Sequence, residues 1–199
     1  MARLFIRGGD IYTPFEIHRQ GDLLIEDGRI AGLGPAGAPP PDARVIDAAS
    51  LIDAPGLIDL QLNGGYGHDF SAEPASIRAV ARRLPETGVT AFLPTIITSP
   101  PETYQQALAA LAAPGVAAGA RVLGLHFEGP YLNPARAGAH DPRWMRPPAA
   151  ADLDAWAPLA RVRMVTLAPE LPGAPALNGR RVRAGVAGSA GQSDASYEQ

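Results

Sequence analysis

The sequence predicts an α/β protein in which a small N-terminal β-unit precedes a parallel sheet with helical crossovers. Residues 1–53 contain short apolar runs separated by turn residues, and an Asp-Gly pair lies between two of them. From residue 54 onward, short apolar runs alternate with longer segments of helical periodicity. Such crossovers connect parallel strands, so the sheet is either doubly wound or a barrel. We therefore divide the chain into a β-domain, 1–53, and an α/β domain, 54–199.

Composition excludes several classes of function. The 199 residues are 46% hydrophobic with a net charge of −3, which supports a packed core and disfavours nucleic acid as a partner. Cysteine is absent, which excludes thiolate chemistry and favours a cytoplasmic location. All 17 basic residues are arginine, which excludes a Schiff-base lysine or a lysine-bridged two-metal centre. No apolar run approaches membrane-spanning length, so we expect no membrane association.

The β-domain is best defined by one hairpin. Residues 23–26 and 29–33 are apolar runs on either side of Asp27-Gly28. Both residues of that pair tolerate the positive φ angles of a tight hairpin turn. The domain contains no cluster of His, Asp or Glu that suggests chemistry.

The α/β domain contains five predicted strands and three predicted helices. The strands are placed at 54–62, 89–96, 120–130, 162–170 and 185–195, and the helices at 74–84, 99–113 and 147–160. Ser99 is the expected N-cap of the second helix, because Glu102 follows it three residues later. Asn178-Gly179 weakens any helix between the last two strands.

Polar residues lie at the carboxyl ends of these predicted strands. The candidates are Gln61, Asn63, Thr95, His126, Glu128, Glu170, Gln192 and Asp194. Parallel α/β folds bind their ligands at the carboxyl ends of the strands. Glu128 is the strongest candidate. It lies in "HFEGPY" at the end of an apolar strand, and a buried carboxylate needs a partner. That partner could be an arginine, a backbone amide or a metal ion.

Five motifs carry a resemblance to a known family. They are "APGLIDLQLNGGYGHDF", "FLPTIITS", "GLHFEGPYLNPARAGAHDP", "VTLAPE" and "SAGQSDASYEQ". In this order and spacing they resemble the N-acetylglucosamine-6-phosphate deacetylases of the amidohydrolase superfamily. The resemblance implies a (β/α)8 TIM-barrel amidohydrolase fold, incomplete here because only about five strands are present, with a small β-domain. It also implies metal-assisted hydrolysis of an amino-sugar phosphate, and a homodimer for full-length members.

The resemblance also implies roles for individual residues. Glu128 matches the first ligand of one divalent metal ion, with zinc as the first choice. Gln61 and Asn63 stand where two-metal amidohydrolases have His-x-His, which implies a single metal. His126 is expected to support the site without binding the metal. Dihydroorotase-like and allantoinase-like enzymes are disfavoured, because this chain has neither His-x-His nor a bridging lysine.

Two further positions match substrate contacts of the family, and one position departs from the family's sequence pattern. Ala139 and His140 match positions that contact the sugar phosphate. Gln192 stands where the family has the histidine that is the second metal ligand, and an amide oxygen is a poor replacement for imidazole on zinc.

The third ligand, the general-base aspartate and a phosphate-binding arginine are expected beyond residue 199. No catalytic base is therefore expected within the chain. Two hypotheses remain: a truncated deacetylase that is inactive alone, or a non-catalytic remnant that binds a sugar phosphate or a partner chain.

Overall fold

The computed structural model describes residues 2–35, 37–113, 118–149, 151–156 and 161–196. The chain divides into two compact units, Met1–Gly56 and Leu57–Gln199. In the described ranges, no helix has the length and apolar character needed to cross a membrane.

The first unit is a five-stranded sheet. Its strands are β1 (Arg3–Tyr12), β2 (Ile17–Glu26), β3 (Arg29–Pro35), β4 (Arg44–Asp47) and β5 (Ile52–Asp53). They are ordered β3-β2-β1-β4, with β5 also paired to β1. The hairpin predicted from Asp27-Gly28 is confirmed, because β2 and β3 pair antiparallel across it. Both turn residues have positive φ, 49° and 77°, as this kind of turn requires.

The second unit alternates strands and helices. Its elements are β6 (Leu57–Leu62), β7 (Gly64–Gly65), β8 (His68–Asp69), α1 (Ile77–Arg83), β9 (Val89–Ile97), α2 (Pro101–Ala112), β10 (Arg121–Val122), β11 (Leu125–Glu128), α3 (Asp152–Ala155), β12 (Val162–Leu167), α4 (Ala174–Arg183) and β13 (Ala187–Ala190). Short 3-10 helices cover Pro74–Ser76, Leu84–Thr87, Pro134–Arg136 and Pro142–Trp144.

The main sheet of this unit is parallel throughout. β6 pairs with β9, β9 with β11, β11 with β12, and β12 with β13. The short β10 pairs with the first half of β9, ahead of β11 on the same side. The expected incomplete barrel sheet is confirmed, and all its strands end at one edge.

Alternation along β11 decides which side chains face the site. Phe127 packs between Tyr104 and Trp156, with ring centroids 4.8 Å away in each case. Leu125 belongs to the same buried cluster. Successive side chains of a strand point to opposite faces. Because Phe127 packs in this cluster on the helix side, the side chains of His126 and Glu128 point away from the helix layer.

Three local expectations need correction. Pro100, not Ser99, is the N-cap of α2, and the Ser99 hydroxyl donates to the Ile97 carbonyl at 2.8 Å. The prolines at the start of the helix have no N–H groups, so fewer donors need a cap. Helix α4 runs through Asn178-Gly179 without interruption. The helix expected at 147–160 is only the single turn α3 in the described residues, and 157–160 lie outside them.

Apart from the two-residue β10, two strands of the sheet are paired on one side only among the described residues. They are β6 and β13. On β6, Leu57, Ile58 and Leu60 are exposed. A complete barrel pairs every strand on both sides, so an open sheet leaves such residues in water.

We predict that the purified 199-residue polypeptide associates through the β6 edge. Light scattering during size-exclusion chromatography should show species heavier than 20.7 kDa. Ile58→Lys should move the distribution toward the monomer, because a charge on an edge strand opposes pairing. Val182→Lys on α4 is the matched control, since the two side chains are 59% and 63% exposed. A monomer with one sharp unfolding transition would contradict the prediction.

Candidate active site at the carboxyl ends of the strands

Glu128 occupies the end of the central strand and is buried. Its Oε1 lies 3.5 Å from the Nε2 atom of His140. The hydrogen bond from His140 lowers the pKa of the Glu128 carboxyl and outweighs burial, which raises it; a bond from Gln61 also lowers it. The side chain is therefore an anion at neutral pH.

Thr98 ties His140 to the β11 end. The Nδ1 atom of His140 lies 3.3 Å from the Thr98 backbone N–H and 3.0 Å from its hydroxyl. The same hydroxyl donates to the Glu128 carbonyl at 3.2 Å. A backbone N–H can only donate, so it assigns Nδ1 as an acceptor. The proton of the neutral ring is then on Nε2 and faces the Glu128 carboxylate.

His126 is held between the two neighbouring strands. Its Nδ1 lies 3.0 Å from the Thr95 hydroxyl and its Nε2 lies 2.8 Å from the Thr166 hydroxyl. Burial lowers the pKa of the ring, although the charge of Glu128 raises it. Both ring nitrogens are occupied, so the neutral imidazole links β9, β11 and β12.

The other predicted residues lie around this edge with fewer contacts. Gln61 on β6 is exposed, and its side chain bonds to Glu128. Asn63 is exposed, and its carbonyl accepts from the Phe70 N–H at 2.9 Å. Ala139 is exposed next to the buried His140.

Gln192 lies against the loop after β11. Its carbonyl accepts from the Asn133 N–H at 3.0 Å. A Cβ built on Gly138 would lie 3.5 Å from its Nε2 atom. Its described contacts are therefore with the loop that leads to His140, and Glu128 is not among them.

Glu170, after β12, makes the densest hydrogen-bond set at this edge. Its carboxylate accepts from Asn133, Ser193 and the backbone N–H of Asp194 at 2.7–2.9 Å. Burial alone would raise the pKa of Glu170, but these bonds, that from Asp194 first, lower it to about 2.

A catalytic zinc site takes three protein ligands and keeps one position open. In the part of the chain that the structure describes, no three His, Asp or Glu side chains group closely enough to hold a metal. Glu128 offers an ionised oxygen, while Nε2 of His140 carries its proton in the neutral ring. The described residues therefore fit one ligand of such a site, not a complete one.

Sequence reasoning missed two residues that organise the site, Thr98 and Thr166. Thr98 follows β9 and Thr166 is the penultimate residue of β12, and a polar residue at the end of an apolar run is the signal that could have found them. Their partners lie 30 to 42 residues away along the chain, so only the sheet register reveals their role.

A parallel, barrel-type sheet with a buried anion and two imidazoles at its carboxyl edge defines the class: an α/β protein of the barrel type whose candidate site lies at the strand ends. No protein-family model matches the chain.

A curated relative narrows the class. The chain is 42% identical over 163 residues to N-acetylglucosamine-6-phosphate deacetylase of Danio rerio, covering 77% of this chain and 40% of that protein.

Two solved structures agree with it. N-acetylglucosamine-6-phosphate deacetylase from Pasteurella multocida matches 98% of the chain and 52% of its own, with a TM-score of 0.86 and 28% identity. The D267A mutant of the Mycobacterium smegmatis enzyme, in complex with N-acetyl-D-glucosamine-6-phosphate, matches all of this chain and 52% of its own, with a TM-score of 0.80 and 32% identity. The chain is thus a relative of the N-acetylglucosamine-6-phosphate deacetylases, as the motifs predicted, and spans about 40% of the curated Danio rerio protein.

Thr166→Val tests the link through His126. Removing the hydroxyl leaves the buried Nε2 atom without its partner, which should lower the free energy of unfolding by about 1–3 kcal/mol. Thr90→Val is the matched control, because the Thr90 hydroxyl is exposed and its bond to the Leu57 carbonyl is long, 3.4 Å. Denaturant unfolding followed by circular dichroism measures the stability of both variants. Equal losses of unfolding free energy would show that the His126–Thr166 bond does not contribute to stability.

Proposed function

We propose that this chain supplies part of an N-acetylglucosamine-6-phosphate deacetylase, which hydrolyses the N-acetyl amide to glucosamine 6-phosphate and acetate. The observation that carries the proposal is the buried, ionised Glu128 at the end of the central strand, held beside His140. The relationship to named deacetylases supports it. The cytoplasmic location and the homodimer stay predictions.

Glu128 is proposed as a ligand of one divalent metal ion, zinc being the first candidate. When bound, such an ion polarises an amide carbonyl and lowers the pKa of water. The described residues do not complete the site, so the remaining ligands and the general base are proposed to come from the part of the enzyme that this chain does not match. Gln192 is proposed to offer only a weak neutral oxygen.

Ala139 and His140 are proposed to contact the sugar phosphate. The ring of His140 is held at Nδ1 by Thr98, so its orientation is set before any substrate arrives. A group positioned in advance binds without losing rotamer freedom. His126 is proposed to support Glu128 without contacting the metal, because both its nitrogens already face hydroxyls.

A second candidate function is a non-catalytic segment that binds a sugar phosphate or pairs with another chain. Gln192, in place of an imidazole, favours it. The two candidates share the fold and differ in metal retention and turnover.

Zinc binding tests the role of Glu128. The 199-residue polypeptide should bind zinc weakly, Glu128→Gln should abolish binding, and Gln192→His should tighten it about tenfold, or about 1.4 kcal/mol. Glu102→Gln is the matched control, since it removes the same charge from an exposed position on α2. Competition with a chromophoric chelator gives the affinities. Equal zinc affinities for Glu128→Gln and Glu102→Gln would show that Glu128 is not a ligand of the metal.

Acetate release tests turnover. The 199-residue polypeptide should release no acetate from N-acetylglucosamine 6-phosphate beyond the level seen with buffer and metal alone. The reason is that the general base is proposed to lie outside this chain, and such a base by itself contributes about 10²–10⁴-fold to the rate. A chimera in which this chain replaces the matching segment of the Danio rerio relative should be active with Gln192→His, and lose that activity when Glu128→Gln is added. Metal-dependent turnover by the 199-residue polypeptide alone would contradict the expectation. An inactive but folded, zinc-loaded Gln192→His chimera would favour the non-catalytic candidate.

A further inference from the structure

One carboxylate joins the loops that follow three neighbouring strands. Glu170 follows β12, Asn133 follows β11, and Ser193 and Asp194 follow β13. Oε1 of Glu170 accepts from Nδ2 of Asn133 at 2.9 Å and from the backbone N–H of Asp194 at 2.8 Å. Its Oε2 accepts from the Ser193 hydroxyl at 2.7 Å. We call these four residues the Glu170 clamp.

The donors of the clamp are fixed by their other bonds. The Ala135 N–H donates to Oδ1 of Asn133 at 2.9 Å, so the amide group of Asn133 must present its Nδ2 to Glu170. The Ala195 N–H donates to the Ser193 hydroxyl at 2.9 Å, so that hydroxyl directs its only proton to the carboxylate. Three donors thus converge on two oxygens. Glu170 is occupied as an acceptor and is not itself placed to bind a ligand.

Gln192 lies directly beside this clamp in a conformation that needs support. Its φ is 51°, in the left-handed region, which is unfavourable for a residue with a Cβ atom. On one side the Gly191 N–H donates to the Leu167 carbonyl at 3.2 Å, and on the other Ser193 is held by Glu170. The backbone at 192 is therefore fixed by its neighbours.

We propose that Glu170 is a positioning residue that holds residue 192 in this conformation and directs its side chain toward Gly138 and the loop carrying His140. Only one consequence of this proposal rests on the proposed function, namely that residue 192 belongs to a metal site. Glu170 also reaches the loop that carries Gly138 through Asn133, so the side-chain amide of Gln192, and not Gly138 alone, reports the positioning.

Nuclear magnetic resonance of the 199-residue polypeptide tests the positioning directly. Glu170→Gln places an amide N–H₂ among three donors, so the clamp should open. The side-chain amide of Gln192 and the backbone amide of Gly138 should shift, and the amide of Asp194 should exchange at least tenfold faster. A residue that held only the Asn133 loop would shift Gly138 but leave the side-chain amide of Gln192 in place. An unchanged resonance of the Gln192 side-chain amide would overturn the inference, whatever happens at Gly138.

Two further variants keep the test decisive. Glu73→Gln is the matched control, because Glu73 is exposed and its carboxylate has one hydrogen-bond partner among the described residues, His68 at 3.0 Å. It should move neither resonance. Should Glu170→Gln fail to fold, Ser193→Ala removes one of the three bonds and should shift both resonances by a smaller amount. No shift in that variant also overturns the inference.

Zinc affinity separates this inference from the proposed function. In the Gln192→His background, Glu170→Gln should weaken zinc binding about tenfold, the lower end of what residues that orient metal ligands contribute. Unchanged affinity in that background would overturn the positioning role. If Gln192→His itself binds no more zinc than the parent chain, the metal role of residue 192 fails, while the resonances of Gly138 and Gln192 still decide whether Glu170 positions it.

Discussion

The arrangement at the strand ends depends on keeping the Glu128 carboxylate charged inside the protein. A buried charge is costly unless it is paired and hydrogen-bonded. Phe127 packs into the aromatic core and thereby fixes the face on which Glu128 emerges. His140 and Gln61 then hydrogen-bond to it. The core determines the direction of the side chain, and the polar neighbours determine that it stays ionised.

Hydroxyl groups explain why the two histidines beside this charge have fixed roles. Thr98 holds the Nδ1 atom of His140, so the opposite edge of that ring faces the carboxylate. Thr95 and Thr166 occupy both nitrogens of His126 and hold it in the sheet, while burial lowers the pKa of its ring. One imidazole is thus available to the site, and the other belongs to the scaffold. Such side chains need little rearrangement on binding, which is the advantage of a site built before its ligand arrives.

The sequence predicted the sheet and the hairpin, because these follow from local periodicity and turn chemistry. It named Glu170 and Asp194 as strand-end candidates but could not show that they meet. Their partnership depends on how loops after three strands fold together, which no short window contains. The N-cap at Ser99 was wrong for a related reason. Capping rules describe a helix in isolation, whereas Ser99 bonds back to the preceding strand at Ile97.

Position 192 shows why fold and relationship do not by themselves decide the chemistry here. The left-handed backbone at this residue is held by bonds to Leu167 and through Ser193 to Glu170, none of which involves its own side chain. The scaffold can therefore present either an imidazole or an amide at the same place. Under the proposed metal role, the amide of Gln192 would offer zinc a weaker donor than the imidazole that the resemblance implies there. If that proposed role holds, the difference between a metal-binding segment and a non-catalytic one depends on a side chain that folding does not require.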